Sequence, residues 1–208
     1  IECACRIDLV NGVVASVEHG EDSAIVVCSL REASADPGES GHVQSHLGRI
    51  ARGDADDALS MLNTSTLSDG LYIRIGRGVS LSRPILIVHQ TSPGVAGPVA
   101  VHPRTLVIVE DGASVTLVEH VLGAEDDGQT FTNAIAEFQI GDAARCDHTL
   151  IQDEPEGAVH VNTRRATLGR DAHFGSHALI LGGRLTRNGI ATYLNGEGGH
   201  TILTGVYL

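Results

Sequence analysis

The chain has 208 residues, of which 42% are hydrophobic and 3% aromatic, and its 14 basic and 26 acidic residues give a formal net charge of −12. This acidic balance argues against sequence-independent nucleic-acid binding, which depends on clustered cations. Every basic residue is an arginine, so the absent lysine excludes a P-loop, a Schiff-base mechanism and the usual kinase site within this stretch.

The N-terminal part, residues 1–66, is predicted to be a small α+β region. Short apolar runs separated by turn signals indicate strands, and a helical spacing of Leu, Ile and Met follows them. The predicted elements are a strand at Arg6–Val10, a turn at Asn11-Gly12, a strand at Ala24–Leu30, a loop at Pro37–Gly41, and helices at Val43–Arg52 and Asp54–Leu62.

From residue 67 onward the pattern changes to short strands. Ser92-Pro93-Gly94 and Gly97-Pro98 predict an excursion before the regular part begins. The first predicted strands are Leu71–Ile75, Val79–Leu81, Ile85–His89 and Thr105–Val109.

A glycine turn between apolar runs returns at a nearly fixed spacing in the second half of the chain. Its first glycines are Gly112, Gly141, Gly169 and Gly196, which are 29, 28 and 27 residues apart. A period of this size is typical of stacked units that bury their apolar faces against one another. Residues 67–208 are therefore predicted to form a parallel β-helix, and the fold is predicted to be mainly β.

Histidines on the repeated strands are candidates for chemistry. His173 and His177 share one face of a strand but are about 13 Å apart along it, too far to hold one metal ion. A cluster would need histidines from adjacent coils, and solvated histidines are the favoured interpretation. Cys146 is either a buried hydrophobe or an outward thiol, with burial favoured. The metal candidates are Cys146, His148, His173, His177 and His200.

The remaining polar motifs are weaker. Cys3-Ala4-Cys5 lacks the second pair that a structural metal site needs. The acidic pairs Asp126-Asp127 and Asp153-Glu154 could serve glycoside cleavage or bind calcium, although solvated loop charge is favoured. Four scattered cysteines do not form a secreted disulfide framework, and no apolar run reaches the roughly 20 residues of a membrane span. These features favour a cytoplasmic protein without a membrane partner.

Several segments resemble the SufB/SufD family of iron–sulfur cluster assembly proteins. They are Leu71–Val79 with Pro84-Ile85, Pro103–Val109, Phe131-Thr132-Asn133, and a closing stretch of Leu181–Asn188, Leu194–Gly198 and Gly205–Leu208 that is similar to the SufD branch in particular. The resemblance implies a right-handed parallel β-helix that pairs with a SufB-like paralogue and carries a SufC-like ABC ATPase. It also implies a cytoplasmic location, or the plastid stroma in a plant or alga, and an iron–sulfur cluster only in the assembled complex.

The departures from the family limit what is carried over. In the family a C-terminal region supplies the helical ATPase-docking element and an interface histidine, and this chain is expected to stop before both. Glu119-His120-Val121 lacks the cysteine of the SufB branch, while Gln152 aligns with a polar residue of the SufB internal path. We therefore assign no catalytic residue and expect a non-catalytic scaffold subunit, not an enzyme.

Two other interpretations stay open at this stage: a β-helix carbohydrate-active enzyme and a structural interaction module. Thr201–Leu208 is also predicted to leave an unpaired strand edge. Because such edges pair readily with other chains, the isolated chain is expected to self-associate.

Overall fold

The computed structural model describes residues 2–19, 25–50, 58–91, 97–123 and 129–208. These contain three helices, α1 Leu30–Ala35, α2 Ser40–His46 and α3 Ala58–Ser65. The strands are β1 Cys5–Val10, β2 Val13–His19, β3 Ile25–Ser29, β4 Leu71–Ile75, β5 Ile85–Gln90, β6 Val99–Val101, β7 Arg104–Val109, β8 Ser114–Leu122, β9 Thr130–Ile140, β10 Arg145–Glu154, β11 Ala158–Leu168, β12 His173–Gly182, β13 Leu185–Leu194 and β14 His200–Tyr207.

Two sheets face each other, and successive coils of chain contribute one strand to each. Sheet A has the order β14-β12-β10-β8-β5-β1-β2, and sheet B has the order β13-β11-β9-β7-β4-β3, with β6 paired to β9. Among the described strands β4 to β14, every pairing of one with another is parallel. The predicted parallel β-solenoid is confirmed.

The first strands extend both sheets of the solenoid. β1 and β2 form an antiparallel hairpin at the predicted Asn11-Gly12 turn, where both residues have a positive φ, and β1 then pairs parallel with β5. β3 pairs antiparallel with β4 at the end of sheet B. Cys5, Ile7 and Leu9 join the core between the sheets, so this hairpin closes the first coil.

The coils are 31, 28 and 27 residues long, because Ser114, Arg145, His173 and His200 are register partners on successive strands of sheet A. The first coil is therefore two residues longer than the 29-residue spacing between Gly112 and Gly141. Gly112 has a φ of +68° at the tip of its turn, whereas a side chain on Gly141 would meet the preceding turn at Asp111. The two glycines therefore occupy different positions of the repeat and serve different needs.

Other predicted elements differ from the structure in their bounds. Val79–Leu81 contributes only a single bridge, Ser80 to Ser114, because it follows the turn at Gly78 directly. The predicted helix at Val43–Arg52 begins earlier and ends sooner, as α2. Helix α1 was missed, although Ser29 and Glu32 form a capping box that starts it. Residues 92–94 of the predicted excursion and residues 54–57 of the predicted helix at 54–62 lie outside the described residues, and the rest of that helix is the first part of α3.

The apolar core fills the space between the sheets, and the helices pack on the outer face of sheet B. A second apolar cluster joins Leu30 and Val43 of the helices to Tyr72, Leu106 and Ile108 of that face. Beside it Arg104 donates to Glu137 from Nη2 at 2.5 Å, and both side chains are buried. No helix among the described residues is long and apolar enough to cross a membrane.

Candidate functional site

From β5 onward, polar side chains share the inward positions of the strands with apolar residues. Alternation along a strand sends every second side chain between the sheets. On β8 this places Glu119 in line with the core residues Val115 and Leu117. The same parity applies on the neighbouring strands. Together these residues form what we call the lumenal network: His89 on β5, Glu119 on β8, His148 on β10, Arg164 on β11, Ser176 on β12 and Asn188 on β13.

Glu119 is the acidic centre of the lumenal network, held between two histidines. His148 Nε2 lies 2.9 Å from one carboxylate oxygen, and His89 Nε2 lies 2.7 Å from the other. Each histidine comes from an adjacent coil, since β8 pairs with β10 on one side and with β5 on the other. The carboxylate therefore ties three consecutive strands together.

Arg164 continues the network on the opposite sheet. Its Nη1 lies 3.5 Å from His148 Nδ1 and donates to Ser176 Oγ at 3.0 Å, while Nη2 donates to Asn188 Oδ1 at 3.3 Å. A guanidinium has only donors, so His148 Nδ1 must be the acceptor of this contact. The proton of neutral His148 then resides on Nε2, where it donates to Glu119.

The pKa directions agree with this charge arrangement. Burial alone would raise the pKa of Glu119, but its contacts with His148 and His89 outweigh burial and hold that pKa well below the ordinary value. Burial lowers the pKa of His148, against the opposing pull of Glu119. Burial also lowers the pKa of Arg164, an effect that the charge of Glu119 opposes. The network thus holds an ionised carboxylate, a neutral histidine and a buried guanidinium, which remains charged at neutral pH.

A second polar group lies farther along the same interior. Glu154 Oε2 is 2.7 Å from His160 Nδ1, and both side chains are about 1% exposed. Gln152 is fully buried and donates from Nε2 to Thr186 Oγ1 at 2.9 Å.

A narrow cavity joins the two polar groups. His89 and Glu119 line it on one side, with His160 and Asn162 on the other, and it has about 20 Å³ of room for water-sized molecules. Among the described residues, His160 Nε2 and Asn162 Oδ1 are buried without a hydrogen-bond partner. Two polar atoms facing a space of this size suit one ordered water molecule, which can both donate and accept hydrogen bonds.

The structure separates the sequence candidates into two sets. Cys146 is fully buried, as favoured from the sequence, and burial raises the pKa of its thiol. His148 is also buried, so the interpretation of this histidine as solvated was wrong. His173, His177 and His200 lie on the outer face of sheet A. In the part of the chain that is described, no three or more His, Cys, Asp or Glu side chains are placed to hold a metal ion.

The acidic pair Asp153-Glu154 does not form a solvated loop. It ends β10, so alternation leaves Asp153 exposed and turns Glu154 into the interior. Two carboxylates on opposite faces of one strand cannot converge on a sugar or a calcium ion. The other acidic pair, Asp126-Asp127, lies outside the described residues.

Sequence reasoning missed Glu119, His89 and Arg164 as site residues. A signal existed for Glu119, because the alternating run Val115, Leu117, Glu119 places a carboxylate on the apolar face of a strand. No comparable signal identifies the partners, since His89 and His148 contact Glu119, and Arg164 contacts His148, only through the register of neighbouring coils.

Comparisons with known proteins extend along nearly the whole chain. The family model described as the SufBD core domain of the SUF system for FeS cluster assembly matches residues 90–208. The model of the SufBD protein N-terminal region matches residues 6–87.

Individual relatives agree with the family models. The iron–sulfur cluster assembly protein SufD of Escherichia coli is 30% identical over 138 residues, covering 65% of this chain and 32% of that protein. A SufBD family protein of Mycobacterium tuberculosis is 30% identical over 153 residues, 74% of this chain and 35% of that protein. SufB of Bacillus subtilis is 26% identical over 143 residues, 69% of this chain and 30% of that protein.

This chain spans about a third of the length of these relatives. Both parts of the chain are nevertheless matched, the N-terminal region and the solenoid. The resemblance seen in the sequence is confirmed, and the chain belongs to the SufBD family of iron–sulfur cluster assembly proteins of the SUF system.

Proposed function

We propose that this chain forms the solenoid of a non-catalytic scaffold subunit, which pairs with a SufB-like paralogue and a SufC-like ATPase. The lumenal network is the observation that carries the proposal. Its polar side chains contact one another across adjacent coils: Glu119 contacts His89 and His148, and His148 contacts Arg164. Such contacts fix the stacking of coils, as buried polar groups do in other folds where they specify register.

The composition supports a division of labour between subunits. This stretch contains no lysine, so the phosphate-binding lysine of a P-loop ATPase would come from a partner. A relative from Arabidopsis thaliana, 24% identical over 148 residues, is named as chloroplastic. We accordingly propose the cytoplasm, or the plastid stroma in a plant, as the place where the complex assembles. The iron–sulfur cluster is then cargo of the complex.

Co-purification tests the partners. The tagged full-length gene product is isolated from its native source, and recovery of an ATPase subunit and of a solenoid paralogue is scored along with iron and sulfide content. Recovery of both partners supports the scaffold. Recovery of neither, with carbohydrate-degrading activity in the pure protein, would replace this proposal with the enzyme interpretation.

A substitution in the lumenal network separates scaffolding from catalysis. Glu119→Gln removes the charge and keeps the shape, and Glu2→Gln is the matched control, since Glu2 forms only an exposed pair with Arg83. If the subunit is a scaffold, complexes that contain folded Glu119→Gln protein should carry as much iron and sulfide as complexes that contain Glu2→Gln. An intact complex that has lost its cluster would contradict the non-catalytic role.

A further inference from the structure

Two histidines from adjacent coils face each other on the outer face of sheet A. His173 on β12 and His200 on β14 are register partners. Their Nδ1 atoms are 3.1 Å apart, and their rings are stacked with an interplanar angle of 17° and a centroid separation of 5.1 Å. This juxtaposition is independent of the lumenal network and of the function proposed above.

We propose that His173 and His200 form a bidentate site for a divalent first-row transition metal ion. Imidazole nitrogens bind such ions at about 2.0–2.1 Å. Two of them on one ion are then about 2.9 Å apart at a right angle and about 3.3 Å apart in a tetrahedral arrangement. The observed separation of 3.1 Å lies between these values, so one ion can bridge the pair once both rings turn to aim their Nδ1 lone pairs at it.

Asp147 prepares His173 for this role. Its Oδ1 lies 3.5 Å from His173 Nε2, which favours the tautomer with the proton on Nε2 and a lone pair on Nδ1. A carboxylate behind a histidine is the usual support of a metal-binding imidazole. Without metal, the proton between the two rings belongs to His200 Nδ1. On binding, that proton moves to the exposed Nε2 of His200, so the neutral pair gives up no net proton.

The surrounding charges permit a cation. Arg145 is the next register partner of His173, but its guanidinium is paired with Asp147 at 2.8 Å. His177 lies on the same face and uses Nδ1 to contact Thr204 Oγ1 at 2.7 Å. The pair thus supplies two protein ligands, and water would complete the coordination. Imidazole ligands suit Cu²⁺, Ni²⁺ and Zn²⁺, of which Cu²⁺ binds most tightly.

Titration of the full-length protein with Cu²⁺ tests the proposal. Calorimetry measures affinity and stoichiometry, and electron paramagnetic resonance counts the coordinated imidazole nitrogens. The variants are His173→Ala and His200→Ala, with His177→Ala as the matched control from the same face. His200→Gln retains side-chain volume, in case the alanine variant disturbs the edge strand.

The expected result is one Cu²⁺ bound by two imidazoles. Losing either histidine should weaken binding about tenfold or more, because the second ligand of a chelate acts at a high effective concentration. His177→Ala should bind like the parent protein. The proposal is overturned if His200→Ala and His200→Gln bind Cu²⁺ as tightly as the parent. It is also overturned if His177→Ala weakens binding as much as His173→Ala, which would indicate a diffuse set of histidines.

Discussion

Replacing His148 by glutamine should remove part of the pH dependence of folding while keeping the contacts of the lumenal network. The amide group of glutamine can donate to Glu119 in place of His148 Nε2, and its carbonyl oxygen can accept from Arg164 in place of Nδ1. Glutamine does not titrate. The variant therefore separates the hydrogen bonds of His148 from its protonation.

The direction in which stability changes with pH follows from the burial of His148. Burial lowers the pKa of His148 in the folded chain, whereas an unfolded histidine has a pKa of about 6.5. Below about pH 6.5 the unfolded chain therefore binds more protons, and stability falls until the folded pKa is reached. A histidine that stayed neutral in the folded chain over this whole range would set the upper limit, a loss of about 1 kcal/mol between about pH 6.5 and about pH 5.5. Above about pH 6.5 the contribution is fully present.

Urea unfolding followed by circular dichroism, repeated from about pH 8 to about pH 5.5, measures this slope. Burial also lowers the pKa of His46 and His173. The His148→Gln variant should therefore retain some pH dependence of its stability. Ser176→Ala is the control, because it removes a neutral member of the network and should shift the curve without changing its slope. Parallel curves for the parent and His148→Gln would refute the reasoning.

Three further predictions concern a buried ion pair, the glycines and the association of the isolated chain. Glu137→Gln leaves the guanidinium of Arg104 without its buried carboxylate and should cost about 3–5 kcal/mol of unfolding free energy. The exposed control Glu2→Gln should cost about 1 kcal/mol or less. Equal losses of the two variants in urea unfolding would contradict this. Gly141→Ala puts a Cβ 2.7 Å from the backbone nitrogen of the preceding turn and should cost about 1–3 kcal/mol. Gly41→Ala has open space in α2 and should gain about 0.5–1 kcal/mol; a thermal melt that ranks the two alanines the other way would argue against coil stacking as the cause. The isolated 208-residue chain should self-associate, since β13 and β14 expose Leu, Val and Tyr side chains, and light scattering that shows a monomer across micromolar concentrations would disprove it.

The turns show how far sequence alone could describe the solenoid. A glycine recurs near every turn because the chain bends sharply there and packs against the turn of the preceding coil, and this local requirement can be read from the sequence. Which residues of successive turns are equivalent cannot be read in this way. Gly112 meets a backbone requirement, and Gly141 makes room for Asp111. Only the pairing of Ser114 with Arg145 shows that these glycines are not partners.

The histidines show the same limit at the candidate sites. Alternation established that His173 and His177 share a face and are too far apart along the strand to chelate one ion. It could not pair His173 with His200, which are 27 residues apart in the chain and adjacent in the sheet. Nor could it show that His148 faces inward, because a shift of one residue in register turns every side chain of a strand to its other face.

By itself the sequence determined the class of fold, the turn repeat and the family, since these depend on composition and on short patterns along the chain. The tertiary structure decided the lengths of the coils, which polar groups are buried, and which histidines meet. Those properties arise from contacts between strands of different coils, about 30 residues apart in sequence, and the energy that selects one register is shared among all the side chains that the register brings together.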